Sequence, residues 1–495
     1  MPENKRVLIF IVAFNAEKHI ENVLSRIPTT LFTSYDYEIL IIDDSSSDDT
    51  FKIARLYQSL HQDLNLKVLF NPENLGYGGN QKLGYHYAIQ HGFDVVVLLH
   101  GDGQYAPELL EEMIKPILEG RADVVLGSRM LQPNNALLGG MPLYKYVGNK
   151  ILTFFQNKLL KTCLSEFHSG YRAYAVQALQ SIPFERNSPD FHFDTQILIQ
   201  ALLKKLIILE IPIPTYYGDE ICHVNGLKYA GNVLKTTILS RAHQYSILYQ
   251  REYDLDNASE QYTPKFGYAS SHTRAIEAVK PGAVVMEIGC NQGYLAKELR
   301  TKGCYVVGID LYPLKHPEFL DEFYQLDLEH SEQLPDMQRF DTILLLDVIE
   351  HLGNPENFID NLSKKAHRKC PTVIITVPNI AFFVIRFQLL FAQFNYGKQG
   401  ILDLTHKRLF TFQSLRKLCE SSGGKILKVS GIPAPFPKVL GQGVLGMSLL
   451  RLNEGLIHLS KSLFSYQIYM EVRLTPVVSE LLAYAVTESQ VERES

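Results

Sequence analysis

The chain is 495 residues long, 46% hydrophobic and 20% charged, a globular composition with material for two or three cores and no sign of disorder. Lys+Arg 48 against Asp+Glu 53 gives a formal net charge of -5, which supplies no basic field and argues against nucleic acid as a partner. The six cysteines (163, 222, 290, 304, 370 and 419) are scattered with no C-x-x-C pair, which fits a reducing, cytosolic compartment.

The opening VLIFIVA is apolar but short, and Asn15, Glu17 and Lys18 follow it at once, so it reads as a first strand and not as a signal peptide. No uninterrupted apolar run reaches the roughly 18 residues of a membrane span. From Val7 to about Ile213, strands such as YEILIID, LKVLF, VVVLLH and DVVLGS alternate with helices expected near Glu17–Arg26, Thr50–Leu60 and Asn80–Gln90. That alternation predicts a mostly parallel sheet covered on both faces. A second such series starts at VVMEIG (284–289) and continues through CYVVGID, FYQLDL, DTILLLDVIEHL and TVIITVPN, with FSYQIYMEVRL as a late strand. Between the two series, REYDLDNASEQYTPKF is polar and acidic without a hydrophobic period. The expected organisation is therefore 1–250, a linker over 251–265 with the boundary near Gln261, and 266–495. The run YVGNKILTFFQNKLLKT (146–162) is an amphipathic helix pattern; its apolar stripe is expected to face the core, with a membrane surface as the alternative.

In the first series, HGDGQYAPE places His100, Asp102 and Gln104 just beyond a strand buried on both faces, where strand ends and helix N-termini converge on ligands. IIDDSSSDDT puts Asp43 and Asp44 at another strand end, where carboxylates accept hydrogen bonds from a nucleobase or ribose; Asp48 is placed to cap the next helix. Arg129 in GSR and Arg172 in SGYRAY are candidate holders of anionic oxygens, or else structural ion pairs. Taken in order, VLIFIVAFN, IIDDSSSD, N-x-GYGGN, HGDGQYAPE, RADVVLGSR, SGYRAY, HFDTQI and EIPIPTYYGDE resemble glycosyltransferase family 2, especially its dolichyl-phosphate mannosyltransferase-like branch. The resemblance spans roughly residues 5–245. It implies a GT-A-type, nucleotide-sugar-binding α/β sheet and an inverting transfer to a polyprenyl phosphate or glycan acceptor. It also implies a divalent cation, Mn²⁺ or Mg²⁺, on His100, Asp102 and Gln104, against the donor diphosphate. The family's first Asp of an Asp-x-Asp pair is His100 here, which favours an ion tolerant of imidazole such as Mn²⁺. Ala16 stands where many relatives carry Glu. Asp194 matches the acidic position where the family places an acceptor-side base. The loop carrying His223, Asn225 and Lys228 resembles the segment that closes over the donor in relatives.

In the second series, VVMEIGCNQGYLAKEL has Glu287 at a strand end, then Gly289 and Gly293 before a helix, and CYVVGID ends at Asp310. An acidic residue two positions before the first glycine differs from dinucleotide-binding loops, which disfavours a dehydrogenase. It resembles motif I of class I S-adenosylmethionine methyltransferases. Asp327 in YQLDL, Asp347 in LLLDVIEHL, TVPNI and GILDLTHKRLFT continue the match over about 266–475, within the broad group that includes ubiquinone-biosynthesis O-methyltransferases. The resemblance implies a Rossmann-like class I methyltransferase sheet. Its glycines would admit the methionine portion of S-adenosylmethionine, Asp310 would take the ribose hydroxyls, Asp327 the adenine amino group, and Asp347 would lie beside the sulfonium. Asn291 replaces the third motif glycine. His351 and His406 are the candidate bases for an acceptor hydroxyl, because neutral imidazole titrates near working pH.

The expectation is thus an α/β protein of two domains, a bifunctional cytoplasmic transferase of glycan assembly, peripheral at the inner membrane face if its acceptor is lipid-linked. Fusion would raise the concentration of one site's product near the other. The alternative is that one half is a non-catalytic binding or tethering module, as His100, Ala16 and Asn291 each depart from a family pattern.

Overall fold

The computed structural model of the protein describes residues 5–132, 135–215, 225–245, 248–255, 266–366, 370–437, 443–475 and residue 482. Residue 261, His223 and the end of the tail lie outside the described residues. The chain divides into two compact units, Met1–Gln244 with Gln250–Ser259, and Tyr245–Tyr249 with Glu260–Ser495.

The first unit is built on β1 (Arg6–Ala13), β2 (Asp36–Asp43), β3 (Leu66–Phe70), β4 (Val95–His100), β5 (Val124–Ser128), β6 (Arg172–Ala175) and β7 (Ile208–Pro212). Their order in the sheet is β3-β2-β1-β4-β6-β5-β7. Period-two alternation explains the packing: Val7, Ile9 and Ile11 enter the core on one face, and Leu8, Phe10 and Val12 enter the core on the other. The sheet is parallel except for β6, which runs antiparallel to both β4 and β5. That short strand, hidden in SGYRAY, was not expected from the pattern, because four residues carry too little periodicity to read.

The second unit is built on β8 (Val284–Ile288), β9 (Tyr305–Asp310), β10 (Glu322–Gln325), β11 (Thr342–Leu346), β12 (Thr372–Pro378), β13 (Lys425–Ile432) and β14 (Gln467–Arg473), ordered β10-β9-β8-β11-β12-β14-β13. The first five are parallel, and β14 runs antiparallel to both β12 and β13. Both units are α/β layers, as the alternation predicts. Among the described residues, none of Cys163, Cys290, Cys304, Cys370 and Cys419 forms a disulfide.

Two expectations are corrected. Residues 251–255 are not linker: Arg251–Tyr253 forms a turn on the first unit, with Tyr253 buried, Gln200 Nε2 donating to the Glu252 carbonyl at 2.6 Å and Arg186 Nη1 to the Arg251 carbonyl at 3.1 Å. One buried tyrosine outweighs the acidic composition of that stretch. The helix Leu143–Leu160 is turned inside out relative to the expected core-facing stripe: Gln156, Thr153 and Asn149 are its buried residues, while Leu143, Ile151 and Phe154 stand 67%, 52% and 62% exposed. Two of its polar side chains have partners inward, while Gln156 is buried with neither side-chain atom hydrogen-bonded. Asn149 Nδ2 donates to Glu166 at 2.8 Å, and Asn157 both donates to the Leu164 carbonyl (2.8 Å) and accepts from its N–H (3.0 Å). Among the described residues no helix is long and apolar enough to cross a membrane.

Candidate functional site

In the first unit, β1, β2 and β4 end side by side, and the loops beyond them are braced to one another. Asn15, in the left-handed region at φ 51, accepts from Ser47 N–H at 2.9 Å and donates its own N–H to Ser46 Oγ at 2.9 Å. Ala16 N–H donates to Thr50 Oγ1 at 2.7 Å, and Glu17 accepts from Asp49 N–H at 3.1 Å, so Glu17 serves the start of the Thr50–Leu60 helix and does not replace the missing glutamate. Asp48 Oδ1 accepts from Thr50 N–H at 3.0 Å and so ties the loop to the helix start, while the cap position itself falls to Asp49, which makes no side-chain cap bond.

The two neighbouring aspartates have different fates. Asp44 is buried and accepts from Asn71 Nδ2 (2.8 Å), Leu75 N–H (2.9 Å) and Gly76 N–H (2.9 Å). It anchors the loop into the Tyr77–Gln90 helix, which argues against its expected nucleoside role, since three protein donors occupy most of its acceptor capacity. Asp43 is fully buried, with Oδ1 on Ser46 N–H (2.9 Å) and Oδ2 without any hydrogen-bond partner. Burial pushes its carboxyl above the usual range, hydrogen bonds from Ser46 pull it back in part, and Asp48 and Asp44 add to the rise. Such an acceptor retains a lone pair for a ligand's N–H or O–H.

At the end of β4, Asp102 Oδ1 accepts from Gln104 N–H at 3.0 Å and its Oδ2 lies 4.0 Å from His100 Nδ1. Behind His100 stands a residue that the sequence reading missed. Tyr77 Oη donates to Asp194 Oδ2 at 3.0 Å and is 3.1 Å from His100 Nε2. A hydroxyl has one proton, so with that proton given to Asp194 it accepts from His100, which must carry its hydrogen on Nε2. The Nδ1 lone pair is thereby turned toward Asp102, the arrangement that second-shell partners impose on metal-binding histidines. Burial holds His100 below the usual imidazole range, against the pull of Asp102 and Asp194. Gly170 makes room for the pair, since a Cβ there would lie 2.6 Å from His100 Nε2 and 2.7 Å from Tyr77 Oη.

Three further expectations are corrected by burial. Asp194, in the first turn of the Phe193–Leu203 helix, accepts from Tyr77 and from Gln81 Nε2 (3.1 Å) and is buried, so it positions Tyr77 and does not face an acceptor as a base. Arg172 is 1% exposed and donates to the carbonyls of Ser169 (2.8 Å), Asp194 (2.7 Å) and Phe167 (2.9 Å); it holds backbone, not a ligand's oxygens. Arg129 is committed to Glu166, through its N–H (2.9 Å), its Nε (3.1 Å) and a close Nη2 contact. Burial pushes Glu166 up and Arg129 more than offsets it, leaving the carboxyl below its usual range. Asn225, expected in a closing loop, accepts from Lys228 N–H at 3.1 Å and opens the Gly226–Gln244 helix.

In the second unit, Gly289 and Gly293 both adopt φ values that favour glycine, +76 and +74, and a Cβ on Gly289 would lie 2.6 Å from Val348. Asn291 has taken the left-handed turn at φ 49, a conformation asparagine tolerates, and its N–H donates to Asp310 Oδ2 at 2.7 Å. The loop therefore keeps its course despite the lost glycine. Asp310 Oδ1 accepts from Tyr312 N–H at 3.0 Å. Glu287 is buried, its Oε2 has no partner, and it lines a small cavity with His272, Gly289, Cys290, Asn291 and Tyr294. Burial, with the Asp310 charge second, pushes its carboxyl up to about 8. Asp327 is exposed and its Oδ1 accepts from Glu329 N–H at 3.0 Å. Asp347, at φ 57, accepts through Oδ1 from Thr376 Oγ1 (2.9 Å) and Gln467 Nε2 (2.6 Å). His351 and His406 are brought together, ring centroids 4.9 Å apart. Burial first, and His406 second, hold His351 below the usual imidazole range.

Each unit thus carries a buried carboxylate at a strand end of a mostly parallel sheet, with one oxygen left unpartnered. The glycosyl transferase family 2 model matches residues 8–182, and a methyltransferase-domain model matches residues 261–429. Over 226 residues the chain is 32% identical to the UDP-N-acetylglucosamine–dolichyl-phosphate N-acetylglucosaminyltransferase of Methanococcus voltae, covering 44% of this chain and 88% of that protein. It is 24% identical over 210 residues to polyprenol monophosphomannose synthase of Mycolicibacterium smegmatis, 42% of this chain and 77% of that one. The solved structure of a SAM dependent methyltransferase from Archaeoglobus fulgidus aligns at 17% identity and a TM-score of 0.30, over 41% of this chain and 90% of that one. The chain belongs to glycosyltransferase family 2, and its second half carries a methyltransferase domain.

The Tyr77 geometry makes a prediction free of any ligand. In protein labelled with ¹⁵N-histidine, neutral His100 is expected as the Nε2–H tautomer, and Tyr77→Phe, which removes the acceptor, is expected to abolish that preference. An unchanged His100 signal in the variant would contradict the assignment.

Proposed function

We propose that the first unit transfers a glycosyl group from a nucleotide sugar to a polyprenyl phosphate, with a divalent cation held by His100 Nδ1 and Asp102. The observation that carries this is the outward Nδ1 lone pair 4.0 Å from Asp102 Oδ2, a span within the reach of two metal–ligand bonds of about 2.1 Å each. Bound there, such a cation would stabilise the negative charge gathering on the departing nucleoside diphosphate. Asp43 Oδ2 would receive a donor from the nucleoside. Asp194 and Tyr77 keep His100 in the ligating tautomer. A polyprenyl phosphate oxygen is already anionic and needs no base, which agrees with an Asp194 turned inward. The two relatives are named for action on dolichyl phosphate and for polyprenol monophosphomannose synthesis, which supports this acceptor class. The exposed face of the Leu143–Leu160 helix, with Lys150 and Lys158 beside it, suits the surface of an anionic bilayer that would hold such an acceptor.

The second unit, on this reading, transfers a methyl group from S-adenosylmethionine to a hydroxyl of the same glycan pathway. When bound, the cofactor supplies the electrophilic methyl. Glu287 would face its ammonium, Asp310 its ribose, Asp327 its adenine, with Asp347 near the reacting end, and His351 and His406 would receive the acceptor hydroxyl.

Donor hydrolysis across a panel of nucleotide sugars, with and without Mn²⁺ or Mg²⁺, tests the first site. Metal-dependent turnover of one donor, reduced at least about 100-fold in Asp102→Ala, is expected; identical metal-independent behaviour in both proteins would make this half a binding module. For the second site the sign follows from Glu287. With its pKa raised to about 8, the empty site is mostly protonated at neutral pH, and an adjacent ammonium favours the carboxylate. Calorimetry in buffers of different ionisation enthalpy is therefore expected to show proton release on S-adenosylmethionine binding at pH 7, with affinity rising toward pH 8. Both effects should vanish in Glu287→Gln, and proton-neutral binding by the native protein would refute the role. Flotation with anionic vesicles tests the helix face. Replacing Ile151 and Phe154 by Ser removes roughly 1.5–3 kcal/mol of burial per side chain and should weaken partition at least tenfold.

A further inference from the structure

We infer that the second unit contains a divalent transition-metal site formed by Glu350, His351 and His406. Each of the three offers one ligand atom, and these atoms lie within 4.8 Å of one another. The tautomers are set by backbone. His406 Nδ1 is 2.9 Å from the Ile401 carbonyl and His351 Nδ1 is 3.3 Å from the Thr405 carbonyl. A carbonyl only accepts, so each neutral ring carries its hydrogen on Nδ1 and keeps the Nε2 lone pair for a ligand. A backbone carbonyl behind the far nitrogen is the second-shell partner that ligating histidines usually have.

The cluster is held together by more than the rings. Glu350 is buried, and its own carbonyl accepts from Lys407 N–H (2.8 Å) and Arg408 N–H (3.0 Å), which pins the segment carrying His406 onto the turn carrying His351. Thr405 is tied to Asp403 Oδ1 through both N–H (2.8 Å) and Oγ1 (2.7 Å), so His406 sits on a closed turn. Lys407 and Arg408 point away to Glu329 and Glu356.

The donor set selects the ion. Two imidazole nitrogens and one carboxylate favour Zn²⁺, Mn²⁺ or Co²⁺ over Mg²⁺ and Ca²⁺, which prefer all-oxygen sites. The position selects its use. Glu350 and His351 follow Asp347 in one turn beyond β11, and Val348 in that turn touches the space above Gly289 in the cofactor loop. An ion there would bind an acceptor oxygen and lower its pKa. The hydroxyl proton would pass to water; the O–CH₃ bond would form as the S–CH₃ bond of the sulfonium breaks, leaving the neutral thioether. The ion's use in methyl transfer rests on the proposed methyltransferase activity; its binding does not.

The test therefore counts bound metal and ignores turnover. Untagged full-length protein carrying Asp102→Ala, which removes any first-site cation, is stripped with a chelator and titrated with Zn²⁺ and with Co²⁺. One equivalent of tight binding is expected, with a visible Co²⁺ absorption diagnostic of nitrogen and oxygen ligands. Adding His406→Gln, or separately His351→Gln, should abolish that equivalent while circular dichroism remains that of the parent. Failure of the Asp102→Ala protein to bind either ion at millimolar concentration, or an undiminished equivalent in both folded histidine variants, would overturn the site. A protein that binds the ion yet transfers no methyl group would instead refute the methyltransferase reading alone.

Discussion

The direction of one proton, on the Tyr77 hydroxyl, organises the first site. Asp194 is buried, and a buried carboxylate is costly unless donors surround it. Gln81 and Tyr77, four residues apart on one helix, supply two, and the Arg172 guanidinium stands 3.8 Å away, itself satisfied by carbonyls. Because the tyrosine gives its proton inward, it can only accept from His100, and the imidazole must present Nδ1 outward. A strand, two helices and the Gly170 turn are thus committed to one tautomer of one side chain. The Tyr77–Asp194 pair thus leaves the Nδ1 lone pair of a neutral His100 on the side of Asp102.

Much of this architecture is legible in the sequence because strand ends are. Asp43, His100 and Asp310 are each the last residue of a parallel strand, and Glu287 lies one residue short of one. Unbroken β-branched runs give those strands away, and the polar residue that stops each run is the residue at the ligand edge. What periodicity does not carry is the direction a side chain faces after the strand stops. Asp43 and Asp44 are adjacent and chemically identical, yet one keeps an unpaired oxygen and the other anchors a loop. Arg172 reads as a phosphate holder in a one-dimensional motif; only the antiparallel β6 shows that it is inside the sheet layer. Tyr77 sits twenty-three residues before His100, at the first position of a helix that opens with a glycine-rich stretch, and its aromatic ring carries no signal of its own.

The Leu143–Leu160 helix marks a different limit. An amphipathic pattern specifies that one face is apolar but not which medium that face meets. The decision here is made by hydrogen bonds: Asn149 reaches Glu166, the partner of Arg129, and Asn157 clasps Leu164, so the polar face is the one with obligations inside the fold. Turning the helix over would bury the apolar stripe at the expense of those partners, leaving Glu166 with one donor fewer.

The two units meet the same physical problem with different carboxylates. Asp43 and Glu287 each lie at a strand end, buried, with one oxygen unpartnered and the carboxyl held above its usual range. Each such oxygen is a standing cost to the empty fold, since a desolvated acceptor has lost water and gained nothing in return. The cost is recovered when a ligand donor arrives, so binding energy is stored where the ligand must sit. The surroundings decide which donor suits. Asp43 has Asp44 and Asp48 as neighbours and Ser46 as its donor, so its charge is shared within a hydrogen-bonded loop and a neutral N–H or O–H completes it. Glu287 has Asp310 as a charged neighbour, which repels its ionised form. A cation relieves both the desolvation and that repulsion, and a neutral donor relieves only the first. The same strand-end carboxylate is therefore best completed by a positive charge in the second unit and by a neutral hydrogen-bond donor in the first.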